Sequence, residues 1–189
     1  MYFDILSGLI PIYALGVVAI AVALFLSNRR KVTNGVSTWR RVFLLGIVLC
    51  WALAVLLITV VPFSFGSTPG IPDRSIDLVP FSGFTENGIG VGGAALKETA
   101  ANALLFAGGA PFIAVYYGRG PVFTALFAGV FAVVVETLQY IIGEGRASTV
   151  DDVIWAIVGG LIGGLIGKAW MTFQGRKKNG TLDSQTTSV

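Results

Sequence analysis

The chain has 189 residues, of which 54% are hydrophobic and only 12% charged, and its mean hydropathy is +0.81. Soluble domains carry about 25% charged residues, so the composition excludes an ordinary soluble globule and predicts one membrane-embedded unit. The net charge of +3 is small and its basic residues sit in short loops and a tail, where they act as topology signals; no nucleic-acid partner is expected.

The first apolar segment spans Leu6–Leu26. It lacks a basic leader and follows Asp4, so it is expected to be retained as a helix, not cleaved as a signal peptide. A basic loop follows, with Arg29, Arg30, Lys31, Arg40 and Arg41. Four further segments are long enough for about 30 Å of hydrocarbon: Val42–Val61, Thr99–Tyr117, Val122–Ile142 and Val153–Trp170. The predicted fold class is thus an all-α integral membrane bundle of five helices. Its expected parts are residues 1–41 (first helix and basic loop), 42–170 (a four-helix core) and 171–189 (a disordered polar tail).

With five spans, ten basic residues fall on one side and three (Arg74, Lys97, Arg146) on the other. The richer side is expected to be cytoplasmic, which puts the N-terminus outside and the C-terminus inside a multi-pass plasma-membrane protein. Nine of the ten acids then lie on or near the outer side, Asp183 being the exception. The outer loop, residues 62–97, holds several prolines and glycines together with Phe63, Phe65, Phe81 and Phe84. It is expected to lie at headgroup depth; a re-entrant lid over a site between helices is the alternative.

The third helix contains Pro111, which must kink it and free the carbonyl of Ala107. In the last helix Gly159, Gly163 and Gly167 recur every four residues, as do Gly160 and Gly164. Small residues at this spacing let helix backbones approach closely. Packing within the chain is the first expectation, a homo-oligomer through this helix the second.

No histidine is present, which removes the commonest general base and metal ligand. Cys50 lies in an apolar run and reads as a small hydrophobe. No metal or cofactor motif occurs. Glu136 is the strongest chemical signal. It lies six residues inside the outer end of the fourth helix, about 9 Å by helical rise, where a carboxylate needs a partner, a proton or water. Gln139 and Tyr140 share its face, and Ala132 and Gly129 continue that stripe. Asn102 lies one turn into the third helix. Thr149-Val-Asp-Asp152 fits a helix start, with Asp151 a cap or dipole residue. Arg146 precedes it. Asn102, Glu136, Gln139, Arg146 and Asp152 therefore fall in one outer layer, as a structural polar knot or a functional site.

The run Ile76-Asp-Leu-Val-Pro-Phe-Ser82, followed by Asn102-Ala-Leu-Leu-Phe106, Glu136-Thr-Leu-Gln139, Gly145-Arg146 and Asp151-Asp152-Val-Ile154 with Gly159 downstream, resembles the VanZ-like family. That family is named for a membrane protein linked to glycopeptide resistance, teicoplanin above all. The resemblance covers residues 45 to 168 and implies a polytopic membrane protein with no established reaction. It carries over to Asn102, Glu136, Gln139, Arg146 and Asp152. One departure stands out: Ala156 occupies a place where the family often has asparagine.

Three functions follow as expectations. The first is a non-catalytic envelope protein whose partners are the bilayer and an envelope lipid, cell-wall precursor or glycopeptide headgroup. The second is an intramembrane enzyme with Glu136 as acid or base, Arg146 gripping a phosphate or carboxylate, Asp152 in support, and Asn102 and Gln139 orienting substrate. In that reading Asp151 and Asp152 are the alternative holders of Mg²⁺ or Ca²⁺. The third is a small proton-coupled transporter or channel.

Overall fold

The computed structural model describes residues 2–29, 36–60, 76–81, 94–142 and 148–186. Five helices organise them: α1 (Tyr2–Arg29), α2 (Val36–Val60), α3 (Ala94–Tyr117), α4 (Pro121–Ile142) and α5 (Val150–Thr186). Two short strands, β1 (Ile76–Asp77) and β2 (Ser148–Thr149), complete the order, β2 leading directly into α5. Each helix contains a stretch long and apolar enough to cross a membrane, from 18 residues in α1 to 27 in α5. The expected all-helical architecture with five spans is therefore the one observed.

Size decides which residues face inward. Lipid tails are as apolar as leucine, so close packing, not hydrophobic exclusion, joins helices in a bilayer. On α4 the exposed residues include Val122, Leu126, Val130 and Val133, while Thr124, Ala125, Ala128, Gly129, Ala132 and Val135 are buried. Leu104 on α3 and Leu165 on α5 likewise stand outside.

The most extensive packing joins α5 to α3 and then α5 to α4. Two glycine ridges on α5 make this possible. One ridge meets α3: a methyl at Gly159 would collide with the carbonyl of Ala103, and one at Gly163 would lie 2.5 Å from the carbonyl oxygen of Ala107. That carbonyl is the one Pro111 deprives of a helical donor. Gly167 continues the ridge: a methyl there would lie 2.7 Å from the Cβ of Ala114. The other ridge meets α4: a methyl at Gly160 would come within 2.7 Å of the carbonyl oxygen of Thr124. The Thr124 hydroxyl donates to the carbonyl of Gly160 at 2.9 Å, so one hydrogen bond crosses where the backbones are closest.

The outer helices join through larger side chains. The indole N–H of Trp51 on α2 donates to the carbonyl of Leu105 at 2.8 Å, and its ring lies against Gly109. Trp51, Phe106 and Phe131 form a triangle with centroids 5.5 to 6.1 Å apart. Helix α1 packs on α2, with Gly16 accepting Leu53 and Gly46 facing Leu24. No residue of the α1 span is buried.

Opposite ends of the bundle differ in charge. One end carries Arg40, Arg41, Arg119, Lys168 and Arg176; here Arg40 Nη2 donates to Gln174 Oε1 at 2.9 Å. Helix α3 stops at Tyr117, and Gly118 takes φ 63°, a conformation that favours glycine. The other end carries Asp77, Glu136, Asp151 and Asp152. There, the middle of the long loop between α2 and α3 docks: Ile76 pairs with Ser148 and Asp77 with Thr149 in parallel. Phe81 N–H donates to both Asp151 carboxylate oxygens, at 2.8 and 3.1 Å. Phe63, Phe65 and Phe84 lie outside the described residues.

Helix α5 continues beyond its apolar span to Thr186. A helix that is already nucleated propagates through polar residues at one hydrogen bond per residue, and the Arg40–Gln174 bond ties part of the extension to α2.

Replacing Gly163 by valine should destabilise the protein by at least about 1–3 kcal/mol, the usual range for overpacking, because backbone atoms on both sides would have to move. Gly108→Ala, with nothing within 4 Å, should be neutral or slightly stabilising. Thermal unfolding of the two variants in detergent checks the contrast.

Candidate functional site

The acidic end of the bundle encloses a cavity of about 250 Å³ lined by α2, α3, α4 and α5. Its polar wall consists of Thr59, Asn102, Glu136, Gln139 and Asp152, and its apolar wall includes Leu105, Phe106, Ala132 and Val135. Four of the five residues predicted from sequence thus meet in one space. The fifth, Arg146, lies outside the described residues.

Each polar group is positioned by a neighbouring element. Asn102 Nδ2 donates to Asp152 Oδ1, linking α3 to α5. Asp152 stands in the first turn of α5. Its own N–H donates to Thr149 Oγ1 at 3.3 Å, so Thr149 caps the helix as the sequence pattern suggested. The helix start is anchored to Glu136 from two sides. Thr149 N–H donates to Glu136 Oε2 at 3.1 Å, and Ser148 Oγ donates to the Glu136 carbonyl at 3.0 Å. Gln139 Nε2 donates to the Thr59 carbonyl at 2.7 Å and brings in the end of α2. Thr59 in turn donates to Val55 O at 2.7 Å.

These polar groups are partly buried. An amide or carboxylate away from water is tolerated when hydrogen-bonded and costs several kcal/mol when it is not. Thr149 therefore plays two roles, with its hydroxyl capping α5 and its N–H meeting Glu136. The sequence signal exposed only the first role. Ser148, buried at 8% exposure, carried no signal of its own because its acceptor is a backbone carbonyl.

The two aspartates serve different neighbours. Asp152 lines the cavity, whereas Asp151 receives Phe81 N–H. The site gives no support to a shared Mg²⁺ or Ca²⁺: among the described residues no three acidic, cysteine or histidine side chains converge to hold a metal. Ala156, one turn beyond Asp152, is fully buried. It sits in a cluster with Val55, Phe106, Ala128, Ala132 and Val135. The position where the family often has an amide is thus part of an apolar cluster, three members of which (Phe106, Ala132 and Val135) also line the cavity. The lining thus combines hydrogen-bonding and apolar groups.

The Asn102–Asp152 contact lends itself to a double-mutant cycle. Combining Asn102→Ala with Asp152→Ala should give a coupling energy of about 1.5–3 kcal/mol, as for hydrogen bonds to charged groups. Chemical unfolding of the four proteins in detergent measures it.

No curated protein and no solved structure matches the chain significantly. The family model described as VanZ/LLP1 matches residues 12–171. The match begins inside α1, earlier than the motifs that carry the resemblance, and runs into the extended part of α5. The chain belongs to the VanZ/LLP1 family.

Proposed function

We propose that the protein acts in the cell envelope as a non-catalytic membrane protein that holds a polar headgroup in the cavity at its acidic end. The occupant is an envelope lipid or a lipid-linked cell-wall precursor. Through it the protein contributes to resistance against glycopeptides such as teicoplanin. The observation that carries this reading is the meeting of Asn102, Glu136, Gln139 and Asp152 beside Leu105, Phe106, Ala132 and Val135 in one cavity. Carboxylates and amides bind hydroxyl, amide and ammonium groups, and the apolar wall receives the start of a lipid chain.

In this reading the basic end lies in the cytoplasm and the cavity faces outward, as the charge bias favours. Holding is favoured over turnover because Asn102, Glu136 and Gln139 are each fixed by hydrogen bonds to protein groups. The apolar cluster of Val55, Phe106, Ala128 and Ala132 beside the cavity speaks for holding over transport. The glycine ridges are occupied by α3 and α4, so a second copy would have to use another face.

Expression in a susceptible bacterium should reduce teicoplanin sensitivity and alter the amount of surface-bound drug relative to an empty vector. If neither quantity moves, the resistance role is lost. With purified protein in nanodiscs, Glu136→Gln should weaken binding of a lipid-linked cell-wall precursor at least tenfold, about 1.4 kcal/mol. Equal affinity of the two proteins would remove Glu136 from the binding role.

A further inference from the structure

At the basic end a second cleft, of about 540 Å³, opens between α2, α3 and α5. It shares no residue with the Glu136 cavity, and its reading is independent of the headgroup role proposed there. Arg40 and Arg41 from α2, Tyr116 and Tyr117 from α3 and Gln174 from α5 form its polar rim. Leu44, Val115 and Met171 form its apolar side. Among the described residues no carboxylate lines it.

We propose that this cleft binds the phosphate of an anionic membrane lipid. Two adjacent arginines bring two permanent charges, and a guanidinium fork matches phosphate oxygens better than a lysine does. One N–H of Arg40 is used on Gln174 Oε1 at 2.9 Å. That acceptor is neutral, so it orients the guanidinium without cancelling its charge. The rim on the other side is equally built. Tyr117 is held edge-on by Tyr116, with centroids 4.9 Å apart, and contacts Phe123 at 5.4 Å. Arg119 lies over the Phe123 ring, 6.0 Å from its centroid.

Helix ends do not set the sign of the site. The cleft lies near the start of α2 at Val36, a positive end, and at the finish of α3 at Tyr117, a negative one, so their fields oppose each other. The arginine charges decide. A lipid is favoured over free phosphate because the cleft places its arginines at one end of apolar spans, where Leu44, Val115 and Met171 offer a surface to glycerol and acyl carbons. Basic pockets between membrane helices take anionic headgroups on the same physical grounds.

The test titrates the purified full chain in nanodiscs or neutral detergent, read by native mass spectrometry. The lipids are phosphatidylglycerol and phosphatidylcholine, and inorganic phosphate is the competitor. Phosphatidylglycerol should remain bound and phosphatidylcholine should not. The double variant R40A/R41A should weaken phosphatidylglycerol about thirtyfold, from roughly fivefold per arginine at a membrane surface. The variant K168A/R176A, altered in a neighbouring cleft, should bind as the parent does. Equal binding of the two lipids, or an unchanged affinity in R40A/R41A, overturns the proposal. Displacement of the lipid by millimolar inorganic phosphate assigns the cleft to free phosphate and overturns the lipid reading. Should R40A/R41A fail to fold, the unmodified chain decides through a diazirine-bearing phosphatidylglycerol. Cross-links on Leu44, Val115 or Met171 support the site, and cross-links confined to other surfaces refute it.

Discussion

The near contact of three backbones along α5 is the constraint on which the rest of the structure depends. Gly159 and Gly163 abut carbonyls of α3, and Gly160 and Gly164 abut α4 near Thr124. No larger residue fits these places, so α5 runs between its two neighbours at minimal separation. Helix association in lipid gains little from hiding apolar surface and much from contact area and crossing hydrogen bonds. The bundle uses both, because small residues bring the backbones together and the Thr124 hydroxyl then reaches the Gly160 carbonyl.

The acidic cavity is a consequence of that closeness. Asp152 and Asn102 can touch only because α5 and α3 are already drawn together a turn or two further along. Glu136 takes Thr149 N–H at 3.1 Å, while α4 and α5 are packed against each other further along, at Gly160 and Gly164. The side chains of the site are therefore held by the glycines as much as by their own hydrogen bonds. Gln139 extends the arrangement to α2 through the Thr59 carbonyl, and Trp51 supports it below by bonding Leu105 and packing on Phe106 and Phe131.

Much of this was legible in the sequence, for identifiable reasons. Long apolar runs have no competing explanation, so five spans could be found from composition. The stripe Gly129, Ala132, Glu136 and Gln139 follows helical spacing, and its buried side is the one observed, with Ala132 at 3% exposure. Asn102, Glu136, Gln139 and Asp152 could be grouped by depth alone. What stayed hidden depends on backbone partners or on contacts far apart in the chain. Two-residue strands carry no periodicity, so nothing announced that Ile76 would pair with Ser148. The targets of Gln139, Trp51 and Ser148 are carbonyls, which every residue possesses and no side-chain pattern marks.

The departure at Ala156 gains its meaning from these contacts. An asparagine there would add an amide within a turn of Asp152, on a helix face that now carries only a fully covered methyl. Buried amides require partners. The nearest mass consists of Val55, Phe106, Ala128, Ala132 and Val135, none of which can supply one from its side chain. In this chain the apolar cluster itself forms part of the cavity wall, through Phe106, Ala132 and Val135. An asparagine at 156 would place an amide among these apolar side chains, so the methyl of Ala156 suits this packing.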